Sequence, residues 1–210
     1  MLEIVILRLI AAGVSEIIVN VYHLPQTIED FLKSKKNFGI RIELSREIDL
    51  LDTGGGLLKA APFFDDGKPF LLHNVDVFSE VDLKKLYKTH LDGGALATLS
   101  VRSRESGRYL LFDDKGLLRG RETAADGARQ WAGSPVEKVE RLAFDGIHVI
   151  SPEIFHKITE SGAFSITTTY LRLAGQGDKI AAFRSDEYYW KDIGRPTGLS
   201  EARAKGPRSK

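Results

Sequence analysis

Apolar positions open the chain at helical spacing. Ile4, Leu7 and Ala11, with Ile6 and Ile10 alongside, precede a stop at Gly13. The next run, EIIVNVY (16–22), is almost wholly apolar and β-rich, as a strand buried on both faces should be. Pro25 suits a helix first turn, and Ile28, Phe31 and Leu32 share one side of the helix that follows. IRIELS (40–45) alternates as a strand. A glycine triplet then leads into LLKAAPFF, a short helix ending near Pro62. PFLLHNVD (69–76) predicts a strand, DLKKLYKTH (82–90) a helix capped by Asp82, and ALATLSVR (95–102) another strand.

Helices and strands therefore alternate over the first hundred residues, the signature of an α/β doubly wound, mostly parallel sheet. The middle changes character. RYLLFDDKGLLRGRE (108–122) reads as a small β-hairpin insertion turning at Asp114-Lys115-Gly116, and residues 123–138 are polar and irregular. LAFDGIHVIS (142–151) is a strand, Ser151-Pro152 opens a helix through Ile158, and a Thr-rich helix covers 165–174. KIAAFR and YYWKDI close as strands. Residues 1–200 read as one domain and 201–210 as a flexible basic tail. A doubly wound sheet normally begins with a strand at its centre, whereas this sequence opens on the helix that should follow it. With that first strand missing, the slot beside 16–22 should be empty or closed by a rearranged neighbour. Such an edge invites pairing with another chain, which leaves a homo-oligomer among the open arrangements.

Composition narrows the class of function. The chain has 210 residues, enough to bury a substantial core, with 42% hydrophobic and 28% charged residues. Thirty basic and 29 acidic residues leave a net charge of +1, so no nucleic-acid or membrane partner is expected. The absence of cysteine excludes disulfides and thiolate metal sites and fits a cytoplasmic location. The opening apolar run is too short to span a bilayer, and Glu3 precedes any positive charge, unlike a signal peptide.

Three features could carry chemistry. Asp76 lies just beyond a buried strand, where open α/β sheets bind ligands; it could hold Mg²⁺ or serve as a turn or cap residue. Asp192, after Tyr188-Tyr189-Trp190, has the same two readings. Together they are more telling, because a two-carboxylate Mg²⁺ site draws its ligands from different strands. Gly54-Gly55-Gly56 permits positive φ and close backbone approach to a flat ligand, or is a flexible connector. It is neither a Walker A loop nor a dinucleotide fingerprint. His73, His90, His148 and His156 lack metal-ligand spacing and read as packing or surface residues. Trp131 and Trp190 read as core or rim aromatics.

The strings AAGVSEIIVNVYHLPQTIEDFL, DTGGGLLKA, FLLHNVDVF, FDGIHVISPEIF and YYWKDIGRP, in this order, resemble the sugar-1-phosphate nucleotidylyltransferases. The nearest type is that of mannose-1-phosphate guanylyltransferase and N-acetylmuramate-1-phosphate uridylyltransferase. The resemblance implies a Rossmann-like, glycosyltransferase-A-like fold and transfer of NMP from an NTP to a sugar 1-phosphate, releasing pyrophosphate. It implies Asp76 and Asp192 as Mg²⁺ ligands, Gly54 and Gly55 beside the nucleobase, and Gly146 and Glu137 at the sugar. Val75 replaces the glycine usual before the metal aspartate, and Asp145 stands where Asn or Ser is common.

The family's G-x-G-T-R-[LM] loop and Pro-Lys-Pro segment normally precede the opening helix and are not found in these 210 residues. The resemblance therefore implies that the arginine and lysine neutralising the triphosphate are missing and that transfer is impaired. No catalytic residue is assigned. The alternative is a non-catalytic regulatory subunit that binds sugar nucleotides on the same fold. A third reading is an unrelated α/β protein whose aspartates are turn residues.

Overall fold

The structure is a computed structural model describing residues 1–194; the tail expected at 201–210 lies outside the described residues. The first half alternates helices and strands: α1 (Leu2–Ala11), β1 (Glu16–Val21), α2 (Pro25–Ser34), β2 (Arg41–Arg46), α3 (Asp52–Lys59) and β3 (Phe70–His73). A short β4 (Val77–Ser79) leads to α4 (Leu83–Gly93) and β5 (Ala97–Arg102). The antiparallel part follows as β6 (Arg108–Phe112), β7 (Leu118–Thr123), β8 (Arg129–Trp131) and the long β9 (Glu140–Ile150). The described chain closes with α5 (Ile166–Gly175), β10 (Ile180–Arg184) and β11 (Trp190–Asp192).

Local chemistry explains most boundaries. The Asp82 carboxylate accepts from the Lys85 amide at 2.9 Å and caps α4, which ends at Gly94 in the left-handed conformation. Pro25 occupies the first turn of α2. The β6–β7 hairpin turns through Gly116 at φ 70°, with Asp113 accepting from the amides of Lys115 and Leu117.

The principal sheet has seven strands in the order β10-β5-β9-β6-β7-β8, with β3 also paired to β9. β10 runs parallel to β5, and both β5 and β3 run antiparallel to β9. Thus β3, β5 and β10 share the direction expected of a doubly wound sheet, with β9 set against them. β1 and β2 form a separate parallel pair, and β4 pairs antiparallel with β11. Strand β9 joins two cores. Ile150 and Leu142 belong to a cluster with Leu99, Val101 and Tyr170, whereas Ile147 and Val149 pack with Ile6, Leu86 and Phe183 from the other layer.

Several expectations change. Helix α1 buries Val5, Ile6 and Leu9, whereas Ile4 and Leu7 are exposed; apolar residues surround the helix, so spacing alone could not select the inward face. Strand β1 is not buried on both faces, and only Ile17 and Val21 are. The glycine triplet lies within α3 rather than ahead of it. The irregular stretch includes β8, and Pro152–His156 is a 3₁₀ turn rather than an α-helix. The slot beside β1 is open. β1 pairs only with β2 and β3 only with β9 among the described residues, leaving a cleft of about 1370 Å³ between them.

Candidate metal and nucleotide site

The turn after β3 carries the first acid. Residues 74–77 close with the Val77 amide donating to the Asn74 carbonyl at 3.2 Å, and the Asn74 amide donates to Gly146 O at 2.9 Å. Asp76 thus stands at the exit of β3, braced by β9. The second acid arrives on β11, whose antiparallel register with β4 sets Asp192 opposite Val77. The Ile193 amide donates to the Asp76 carbonyl at 2.9 Å, and the Gly194 amide to the Asp192 carboxylate at 2.9 Å.

Gly194 measures the convergence. A Cβ there would lie 2.8 Å from Asp76 Oδ2 and 3.2 Å from Asp192 Oδ1. The two carboxylates therefore flank one point, and a side chain at 194 would intrude on it. Partial burial, then the neighbouring Asp192 charge, pushes the Asp76 carboxyl above its usual range. Such repulsion is what a bound cation relieves. Paired carboxylates suit Mg²⁺, a hard cation that completes its shell with water and phosphate oxygens. Among the described residues no cluster of three or more His, Asp or Glu could hold a metal, so a cation here would need those outside ligands.

A buried polar network fixes the Asp192 arm. The Arg102 guanidinium donates to Asp145 at 2.9 Å, to Tyr188 O at 2.9 Å and to Ser185 Oγ at 3.2 Å. Asp145 also accepts from Ser100 Oγ at 2.9 Å and from Ser185 Oγ. The Trp190 indole donates to the Asp145 carbonyl at 3.0 Å. Strand β11 is thereby tied, through Tyr188 and Trp190 just before Lys191, to the interior of the main sheet. Arg104 stacks its guanidinium 4.0 Å over the Trp190 ring and donates to Phe144 O at 3.0 Å. Burial pushes its guanidinium below the usual range, opposed by the charges of Asp145 and Asp192. Sequence reasoning missed Arg102 and Arg104. The available signal was two arginines at i, i+2 where β5 ends, Arg102 being its last residue and Arg104 lying in the bend beyond.

The other expected residues divide. Gly146 lies beside Asn74 with φ 77°, and a Cβ there would meet the Asn74 side chain at 3.0–3.2 Å. Its conformation coincides with the break in β5–β9 register between Leu99 and Val101, so Gly146 lets β9 change partners beside the acidic turn. Gly54 and Gly55 are buried, and added Cβ atoms would strike the Phe164 ring at 2.2 Å and Gly162 O at 2.3 Å. This close approach packs α3 on residues 162–164. Glu137 is exposed in a separate shallow pocket with Asp113, Lys138 and Arg184, which includes neither Asp76 nor Asp192. The irregular segment after β8 carries it there. His148 donates to or accepts from Tyr170 Oη at 2.7 Å, and His90 bridges Thr98 and Ser151, so these two histidines pack as expected. No helix among the described residues is long and apolar enough to cross a membrane.

Comparison with known proteins finds relatives over nearly the whole chain. The profile described as Nucleotidyl transferase matches residues 1–208. Mannose-1-phosphate guanyltransferase 2 of Candida glabrata is 26% identical over 189 residues, covering 88% of this chain and 50% of that protein. N-acetylmuramate alpha-1-phosphate uridylyltransferase of Neisseria meningitidis is 27% identical over 204 residues, covering 94% of this chain and 80% of the other. The chain spans about half the length of the guanyltransferases it matches. Among solved structures, HddC from Yersinia pseudotuberculosis superposes with a TM-score of 0.73 at 21% identity, covering 95% of this chain and 82% of its own. The UDP-glucose pyrophosphorylase of Acinetobacter baumanii gives 0.75 at 16% identity, covering 98% and 83%. These likenesses establish a shared Rossmann-like fold. With the profile match across nearly all of its length, the chain belongs to the nucleotidyl transferase family.

Proposed function

We propose that this protein is a sugar-1-phosphate nucleotidylyltransferase. A sugar-1-phosphate oxygen attacks the α-phosphorus of an NTP in line, the bond from that phosphorus to the β-phosphate bridging oxygen breaks, and NDP-sugar and pyrophosphate form. The observation that carries the reading is the convergence of Asp76 and Asp192 on one point beside Gly194. These two residues would hold Mg²⁺, which when bound neutralises phosphate oxygens in the transition state. The protein's own part is positioning. Arg102, Asp145 and Trp190 hold the Asp192 arm against the turn bearing Asp76. Gly146 keeps the floor beside Asn74 clear for the sugar. Gly54 and Gly55 contribute through α3, whose close packing keeps Asp52 and Thr53 at the cleft wall.

The names of the relatives include guanylyl and uridylyl transfer, so the base stays unassigned. The test is pyrophosphate release from each common NTP with mannose, glucose or N-acetylmuramate 1-phosphate, with and without Mg²⁺. Mg²⁺-dependent release is expected, and Asp76→Asn or Asp192→Asn should lower kcat by ~10²-fold or more. NDP-sugar binding with no release under any pairing would instead favour a regulatory sugar-nucleotide-binding subunit. Release unaffected by either substitution would remove the two-carboxylate site from the mechanism.

A further inference from the structure

Two arginines beside the acidic pair are held in different ways. Arg102 spends its guanidinium on Asp145, Tyr188 O and Ser185 Oγ, so its charge is matched inside the fold. Arg104 has no acid of its own. Its Nη1 donates to Glu105 O and its Nη2 to Phe144 O, both neutral carbonyls at 3.0 Å. Its Nε is sealed from solvent with no acceptor among the described residues. A guanidinium carries five N–H donors, so bonds to two carbonyls leave donors open and the charge unmatched. We propose that Arg104 binds the phosphate of a sugar 1-phosphate, as a further substrate-binding residue of the transfer site. The class of ligand rests on the transferase reading.

Its neighbours fix where this charge is held. The guanidinium lies 4.0 Å from the centre of the Trp190 ring. Trp190 and Asp192 are alternate residues of β11 and share one face of that strand. The stack therefore brings Arg104 to the face that presents Asp192, whose charge acts on it. Phe144, whose carbonyl takes the Nη2 bond, stands two residues before Gly146 on β9. Arg104 thus lies between the floor proposed for the sugar and the acid pair where the NTP phosphates gather. The 1-phosphate joins these two places, being bonded to the sugar and reaching the NTP through its attacking oxygen.

Charge and shape both suit that ligand. Two carboxylates repel an incoming phosphate dianion, and a fixed cation beside them offsets the repulsion. A guanidinium held flat by an indole has little freedom to lose and offers paired N–H groups to phosphate oxygens. The β- and γ-phosphates of the NTP are the other source of such oxygens. The tie from Nη2 to β9, the strand carrying Gly146, favours the sugar's phosphate.

The test is calorimetry on the whole chain in Mg²⁺ with mannose, glucose and N-acetylmuramate 1-phosphates, and with GTP and UTP. At least one ester should bind saturably. Arg104→Gln should weaken it about tenfold or more, and Arg104→Lys, which keeps the charge without the fork, should fall between. Added salt should weaken the ester's binding to the parent more steeply than to Arg104→Gln, which a purely structural role would not produce. Affinity for GTP and UTP should be unchanged in both variants. No saturable binding of any ester, equal affinity in both variants, or a loss confined to GTP and UTP would each overturn the proposal. Pyrophosphate release separates the two readings. Release with an unchanged KM for the sugar 1-phosphate in Arg104→Gln sinks the Arg104 contact and keeps the transferase. Binding of the ester that depends on Arg104, with no release from any NTP, sinks the transferase and keeps the contact.

Discussion

Strands β1 and β5 are similar in length and apolar content, EIIVNV against ATLSVR, yet they meet opposite fates. All six residues of β5 are buried, whereas β1 buries Ile17 and Val21, leaves Ile18 and Val19 half-covered and exposes Glu16 and Asn20. β5 lies between β10 and β9 and under α4 and α5 packing. β1 has one strand neighbour and a cleft on its other side. An apolar strand states a demand for burial, and the neighbours decide whether it is met. The consequence is two regions of unequal cohesion: a dense sheet around β5 and β9, and a looser layer of β1, β2, α1 and α2.

The sharpest contrast should come from the buried charge pair of the dense region. Asp145 is wholly buried and Arg102 nearly so. Arg102→Met strands the carboxylate, which should cost about 3–5 kcal/mol in urea unfolding. Adding Asp145→Leu should recover part of that, because the uncompensated charge is then gone. A loss under about 1 kcal/mol for Arg102→Met would show that water reaches this network and that the dense region is not sealed. Next in size, Leu99→Ala in β5 should cost about 2–5 kcal/mol, as a side chain with no exposed surface leaves a cavity. Ile18→Ala in β1, facing the open side, should cost about 1 kcal/mol or less, since little area returns to water. Equal costs would mean the cleft is closed in solution.

Helix α3 joins the two regions. Its Gly54 amide donates to Phe164 O at 2.8 Å, and the Leu51 amide to Glu47 at 3.0 Å. Gly55→Ala places a methyl 2.3 Å from Gly162 O, a backbone atom with little freedom to retreat. Overpacking of this kind should cost about 1–3 kcal/mol. Hydrogen exchange at 162–164 should rise with it, and unchanged exchange there would uncouple α3 from that loop.

Most of the element order was legible because periodicity, caps and prolines are local signals. α4 shows this: Asp82 caps it and Gly94 ends it. The acid pair was legible too, since each residue closes a short strand. What stayed hidden depends on neighbours far along the chain. The inward face of α1 could not be chosen because apolar residues surround that helix. For the glycine triplet the sequence left ligand approach and a flexible connector both open, because the packing of Gly54 and Gly55 on residues 162–164 comes from over a hundred residues away. The Arg102–Asp145 pair spans 43 positions and has no periodic signature.

Two histidines give the finest comparison of the regions. His148 on β9 is sealed in the dense core, where burial and the neighbouring His73 push its pKa down to about 3. His73 on β3 lines the cleft, where burial, with Arg8 adding repulsion, pushes it down to about 4. Both are neutral in the fold near pH 6, whereas the unfolded chain binds protons at about 6.5. The unfolded state therefore holds more protons below that value, and stability falls as pH drops, toward about 4 for His73 and about 3 for His148. The slope approaches ~1.4 kcal/mol per pH unit for each residue once the unfolded form is fully protonated. Urea midpoints between pH 6.5 and 5, above most carboxylate titration, should show it. His73→Gln should remove one histidine's share of that slope and leave the His148 share unchanged. If His73→Gln leaves the slope intact, water already reaches residue 73 well enough to protonate it, and the cleft is wetter than its apolar walls imply.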